Sequence, residues 1–466
     1  MSKNFLPYAL AAFLIGLIGG LSTVLGPAFM LDMNLAYNNT TWTALAQAIS
    51  TAACSPILGK LVDIFGRRKT LLLGIFIFTI GNLLSALSTS LLLLLLARFV
   101  VGLGTAAIAP TVMSYIVTEF PPAEIAKGFS IYMLLSSASV IFGPSIGGII
   151  LQSSNWRTLM WISTGICVVF FFLCFVTHPK VSSTTRKIKH FDTPGAILVL
   201  IFFSLLLCIP SFGQNFGWTS TVFVVVLILS LISLVSLFLT EKKASHPILV
   251  ASFIKRKEFV LPVIILFLTQ GLMQANMTNT IVFINYTQPD NTIISAYAIS
   301  IMYLGMSLGS ILLGPLSDRI EPKHILIGSL LLTGLGCALM LFYSVTTPFL
   351  ILASALGILG FGLGANAAIF MKIVFFNLPS ESAGIETGTY GLFRDLAAPF
   401  GVAIFVPLFT NEITRLTANS LSSISPSVAS VNAIHMLAII EICCVALSIL
   451  IVQFLPTIHK TILKKE

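Results

Sequence analysis

Charged side chains are what this chain has least of. Asp, Glu, Lys and Arg make up 9% of its 466 residues, whereas about a quarter is usual in a soluble domain. Hydrophobic residues reach 57% and mean hydropathy is +1.02, which excludes an ordinary water-soluble enzyme or binding domain. The six histidines are scattered, and no stretch between apolar runs is long enough for a soluble domain. No catalytic constellation emerges, so the chain is read as not an enzyme. The seven cysteines (Cys54, Cys167, Cys174, Cys208, Cys337, Cys443 and Cys444) all fall in apolar runs without CxxC or Cys/His spacing. That pattern offers neither a disulfide framework nor a metal site, and no bound cofactor is expected. The net charge of +9 does not imply nucleic acid, because the basic residues form short clusters between apolar runs and no single face.

What the chain has in abundance is apolar length. About 20 mostly apolar residues make one spanning helix. Runs of that size occur near 6–30, 42–62, 70–89, 91–118, 127–151, 158–177, 195–212, 219–239, 259–285, 295–316, 325–344, 348–371, 385–409 and 432–455, giving fourteen expected spans. The first run has spanning length and no small-residue cleavage site, so it is expected to be a helix of the protein and not a removed leader. Basic residues accumulate on the cytoplasmic side of membrane proteins. With both termini inside, only Arg157 and Arg415 fall in external loops, and Arg98 and Arg394 lie within spans. Every other Lys or Arg, including the clusters at Arg67, Arg68, Lys69 and at Lys255, Arg256, Lys257, then lies at or near the cytoplasmic side.

The chain also repeats itself. YMLLSSASVIFG (Tyr132 to Gly143) and YGLFRDLAAPFG (Tyr390 to Gly401) share one offset (390 − 132 = 401 − 143 = 258). The surplus over a six-helix repeat fits two extra spans between the halves. The expected division is a six-helix bundle at 1–180, two inserted helices with flanking loops at 181–258, and a second six-helix bundle at 259–466. Paired bundles around a midplane site are a transporter architecture.

GKLVDIFGRRKT (Gly59 to Thr70) follows the second span. Its glycines permit a tight turn, Asp63 can meet a cation or a helix N-terminus, and Arg67, Arg68 and Lys69 face the anionic leaflet. With Gly59, Leu61, Asp63, Gly66, Arg67 and Arg68 the stretch resembles the signature loop of the major facilitator superfamily, G-x-L-x-D-x-x-G-R-[RK]. GPLSDRIEPKH in the second half is a decayed copy that keeps Gly314, Asp318 and Arg319. ARFVVGLG, with Arg98 and Gly102, resembles the family motif that lines the central cavity of proton-coupled members. SVIFGPSIGG, with Gly143, Pro144, Gly147 and Gly148, resembles the motif of the antiporters, Ser139 standing where its first glycine falls. Together with NWR at Asn155 to Arg157, these features are similar to the fourteen-helix drug:proton antiporter subfamily.

The resemblance implies an all-α polytopic membrane protein with the major facilitator fold: two six-helix bundles plus two extra helices, 14 transmembrane helices in all. It further implies a plasma-membrane secondary transporter that exports amphiphilic small molecules against protons by alternating access. Its partners would be membrane lipids, the substrate and protons. The proton gradient is the energy source, and a monomer is expected. The competing reading is a facilitator-fold transporter of an endogenous metabolite or lipid whose anionic group is gripped by Arg98 and Arg394. In one respect the chain departs from the subfamily: Ile18 or Gly19 stands where its first helix normally carries an acidic residue.

Coupling needs a carboxyl that gains and loses a proton. The embedded candidates are Asp395 and Glu441, with Arg98 and Arg394 as nearby cations. Asp395 lies about ten residues into its span, roughly 15 Å deep in a core about 30 Å thick. Adjacent helical residues point about 100° apart, so Arg394 is expected to face the cavity and Asp395 a neighbouring helix, an intrahelical salt bridge being the weaker reading. The seventh span of the repeat scheme is unusually polar. Gln270, Gln274, Asn276 and Asn279 in it, with Asn366 further on, are the candidate substrate-binding amides, the alternative being amide contacts between helices.

Overall fold

The computed structural model describes residues 5–22, 25–33, 37–121, 124–177, 192–244, 247–288, 293–376, 378–379, 382–418 and 424–456, and among them every regular element is helical. The first expected span contains the described helical stretches α1 (Leu6–Ser22) and α2 (Leu25–Asp32). There follow α3 (Tyr37–Phe65), α4 (Arg67–Leu87), α5 (Leu91–Glu119), α6 (Ile125–Ser153) and α7 (Trp156–Thr177). The inserted pair is α8 (Thr193–Phe216) and α9 (Thr221–Lys243), after which come the single turn α10 (Ala251–Ile254) and α11 (Lys257–Thr287). The series closes with α12 (Ile293–Leu313), α13 (Pro322–Leu339), α14 (Phe349–Val374), α15 (Ala383–Ala418) and α16 (Pro426–Val452). Thirteen of the described helices have the length and apolarity to cross a membrane, and α1, with 17 residues, is a shorter apolar helix.

Polar residues begin several helices where the first-turn N–H groups lack partners. Ser90, Asp192, Ser220 and Ser425 accept from the backbone N–H three residues on, at 3.4, 2.9, 3.2 and 3.4 Å. Large apolar side chains such as Phe172, Val176 and Phe238 are exposed, as befits helices solvated by lipid tails.

The helices form two compact units. One comprises Met1–Phe120, Ser139–Ile254 and Asn377–Leu396, and the other Pro121–Ala138, Lys255–Phe376 and Ala397–Glu466. In the first, α3 and α4 pack on α5, α7 packs on α4 and α1, and α8 packs on α9 and α3. In the second, α14 packs on α12 and α13, and α16 packs on α11 and α13.

The sequence repeat has a direct structural counterpart inside each unit. Gly143, at the end of the first copy, lies against the backbone of Gly20 in α1, and Gly401, at the end of the second, lies against Gly271 in α11. A Cβ on Gly20 would stand 2.9 Å from the Val140 carbonyl oxygen, and one on Gly271 would stand 2.9 Å from Gly401 Cα. No larger residue fits either crossing without moving a backbone.

Candidate functional site

The signature loop is built around a positive-φ turn. Gly66, at φ 83°, separates α3 from α4 in a conformation that a side chain would disfavour. One turn earlier Asp63 accepts hydrogen bonds from the backbone N–H groups of Gly384 at 2.7 Å and Ile385 at 2.9 Å. These are first-turn donors of α15, left without intrahelical partners and carrying the positive end of the helix dipole. Gly59 makes the approach possible, since its Cα faces the Gly384 and Gly388 backbone with no room for a side chain. Arg67 pairs with Glu119 at 2.6 Å and lies 5.8 Å from the centre of the Tyr115 ring. Arg68 is half-buried on α4.

In the second unit the decayed copy does the same. Asp318 closes a short 3₁₀ turn, Pro315–Asp318, that follows Gly314, and it accepts from the N–H groups of Ala126 at 3.2 Å and Lys127 at 3.0 Å in the first turn of α6. Each motif aspartate therefore caps one member of the repeat pair α6 and α15. Arg319 is exposed. The second site has an addition that the sequence reading passed over: Lys372, near the end of α14, donates to Asp318 at 2.8 Å and to the Ser317 carbonyl, both side chains of the pair being only 7% exposed. The signal was present, a lone cation inside the apolar run AAIFMKIVFF.

The embedded charges have unequal surroundings. Arg98 is enclosed in the first unit at 3% exposure. It donates to Ser22 Oγ at 3.3 Å and to Met160 Sδ at 3.6 Å, and lies 5.6 Å from the centre of the Phe29 ring. Ser22 in turn donates to the Ile18 carbonyl at 2.8 Å, which ties the guanidinium to α1 through one hydroxyl. Arg394 and Asp395 correct the expectation that they part company. Arg394 Nε donates to Asp395 Oδ1 at 2.8 Å, with the side chains 19% and 20% exposed. The bond is made by the guanidinium nitrogen nearest the stem, a short enough reach to span the angle between neighbours.

Glu441 is fully buried in the second unit, where its Oε1 accepts from Asn276 Nδ2 at 2.9 Å and the Cys337 thiol lies beside it. Asn276 is thus turned to α16. Asn366, also buried, accepts from Ser329 of α13, and Asn279 is buried with neither amide atom hydrogen-bonded among the described residues. Gln270 and Gln274 stay half-buried, with Gln270 reaching Met273 Sδ at 3.8 Å. Of the antiporter motif, Gly143 and Gly147 are buried, and Pro144 and Gly148 continue α6.

The Major Facilitator Superfamily family model matches residues 8–240 and 195–402. The chain belongs to this superfamily and is a multi-span membrane transporter of small-molecule substrates. It is 24% identical to Multidrug resistance protein 3 of Bacillus subtilis (strain 168), over 85% of this chain and 77% of that protein. It is 23% identical to Multidrug resistance protein Stp of Mycobacterium tuberculosis (strain CDC 1551 / Oshkosh), over 85% of this chain and 73% of that one. The crystal structure of the human organic anion transporter TETRAN is similar in fold, with a TM-score of 0.63, 13% identity, and coverage of 95% of this chain and 98% of that one.

Proposed function

We propose that the protein is a proton-coupled exporter of amphiphilic small molecules, working in the plasma membrane with both termini cytoplasmic and with α1 and α2 together forming a fourteenth span. Kinship to proteins named for multidrug resistance along 85% of the chain supports export. The observation that carries the coupling is the largely buried Arg394–Asp395 pair in the interior of α15. Buried charge in a membrane segment is expensive and marks a functional path. Asp395 is a carboxylate with its own resident cation, so taking up a proton dissolves the pair and losing the proton restores it. In this cycle proton entry and substrate release share one switch. Glu441, fully buried and in none of the ion pairs found among the described residues, is the less accessible acid.

The second reading, an endogenous solute with an anionic group, draws on Arg98, whose described partners are a hydroxyl, a thioether and a ring, with no carboxylate. A drug-hypersensitive host expressing the protein separates the two. Raised tolerance to amphiphilic drugs supports export of xenobiotics; movement of lipids or metabolites without altered tolerance supports the rival. The first span has no carboxylate in its interior, so monovalent cations and neutral or anionic amphiphiles are carried better than dications. Preferred transport of a dication in competition assays contradicts that.

A further inference from the structure

The inserted helices α8 and α9 have no part in the reading so far. We infer that they brace the seam between α3 and the start of α15, the seam that Asp63 fastens, and that Lys60 is the positioning residue through which they do so.

Three contacts inside the first unit carry this. At the end away from the motif, α8 lies on α3, with the Trp42 and Phe212 rings edge to face at 5.4 Å. It also reaches α15, where buried Phe203 meets Phe393 at 6.3 Å. At the motif end, the acids that terminate the inserted pair converge. Asp192 caps α8, and Glu241, in the last turn of α9, accepts from the N–H groups of Ile248 at 3.2 Å and Leu249 at 3.3 Å, folding the next segment back. A Cβ on Gly195 would touch both carboxylates, Glu241 Oε1 lying 3.0 Å from it.

Lys60 supplies the countercharge. It follows Gly59 directly and precedes Asp63 by one turn, but neighbouring helical positions point about 100° apart. Gly59 and Asp63 meet α15, while the flexible stem of Lys60 carries its amine to the segment that follows α9. Its Nζ donates to the Pro247 carbonyl at 3.5 Å and lies in the combined field of Asp192 and Glu241. One turn of α3 is held from two sides, by α15 through Asp63 and by α8 and α9 through Lys60. Removing that cation takes away a charge that offsets the repulsion between two half-buried carboxylates, since like charges at short range repel. The motif turn of α3 then loses its backing.

The test uses the full-length protein in detergent and reads amide hydrogen exchange in peptides covering the start of α15, where Asp63 holds the Gly384 and Ile385 N–H groups. It needs neither substrate nor gradient, so its outcome is independent of the export reading. Lys60→Gln and Glu241→Gln are expected to raise exchange there about tenfold, with α13 and α14 unchanged, while Lys60→Arg exchanges like the wild type. Unchanged exchange at α15, a rise shared equally by α13 and α14, or a Lys60→Arg variant as loose as Lys60→Gln overturns the inference.

Discussion

Replacing Asp63 by Asn removes one charge and one acceptor from the α3–α15 contact and leaves shape intact. The wild-type carboxylate receives two charge-assisted bonds, at 2.7 and 2.9 Å. Asn keeps one acceptor and turns its amide hydrogens toward a donor. A hydrogen bond to a charged group contributes about 1.5–3 kcal/mol, and a negative charge at a helix N-terminus adds about 0.3–1 kcal/mol. The loss is thus about 2–4 kcal/mol, which shifts the balance between engaged and separated α3 and α15 by about 30-fold to 700-fold at 1.4 kcal/mol per factor of ten. A transporter must visit both states at comparable cost, so efflux should fall to background. Folded yield should hold, because the contact is half-buried at a helix end and the rest of each helix keeps its packing. Asp318→Asn is the internal control. It strands Lys372, only 7% exposed on its side chain, and breaking a buried pair costs about 3–5 kcal/mol, so yield itself should drop. Efflux in proteoliposomes, beside the monodisperse fraction on size exclusion, reads both. Near-normal efflux by Asp63→Asn refutes the reasoning.

Glu441→Gln, which keeps an acceptor for Asn276, should match the wild type in yield and gradient-driven uptake, whereas Glu441→Leu strands a buried amide at about 1–3 kcal/mol and should lower the melting temperature; equal melting of the two variants contradicts this. Gly143→Ala pushes a methyl into the Gly20 backbone and should cost about 1–3 kcal/mol, but Gly19→Ala, whose Cβ meets nothing within 4 Å, should be silent; similar thermal shifts for both argue against the close crossing. At the opposite end of the first unit, Asp32 accepts from Trp156 at 2.9 Å and Arg157 at 2.6 Å, and the Trp156 bond first, then the Arg157 bond, hold its carboxyl below the ordinary value. A depressed carboxyl stabilises the fold above its unfolded pKa and loses that contribution as pH falls through the folded one. Asp32→Asn should therefore melt slightly lower than wild type at neutral pH, by a margin that closes below about pH 4; a margin that persists in acid removes the assignment.

Spans, repeat and caps were legible because each is written locally. Apolar length marks a span, and two similar strings closing at Gly143 and Gly401 mark the repeat, but the matched crossings on Gly20 and Gly271 belong to the fold alone. Asp63, with glycines on both sides, was readable as a helix-capping loop. Partnerships across the fold were not legible. Asn276 and Glu441 were each conspicuous, but 165 residues separate them, and nothing local says that α11 and α16 touch. Arg98 reads as a cavity residue from its motif, and only packing turns it to Ser22 and Met160. For Arg394 and Asp395 the ideal angle between neighbours misled, because it describes Cβ directions and a flexible stem can bend back.

The central claim is that Asp395 carries the coupling proton, and one comparison in proteoliposomes tests it. Wild type and Asp395→Asn are loaded with a monovalent cationic dye and assayed twice, for accumulation driven by a pH gradient and for substrate exchange with no gradient. Asn fixes a neutral side chain of nearly the same shape, so the variant should bind and exchange dye like the wild type yet accumulate none when the gradient is imposed. Arg394→Ala should instead weaken dye binding, by removing the cation that pairs with Asp395 at 2.8 Å. Gradient-driven accumulation by Asp395→Asn at the wild-type rate contradicts the account and transfers the coupling role to Glu441.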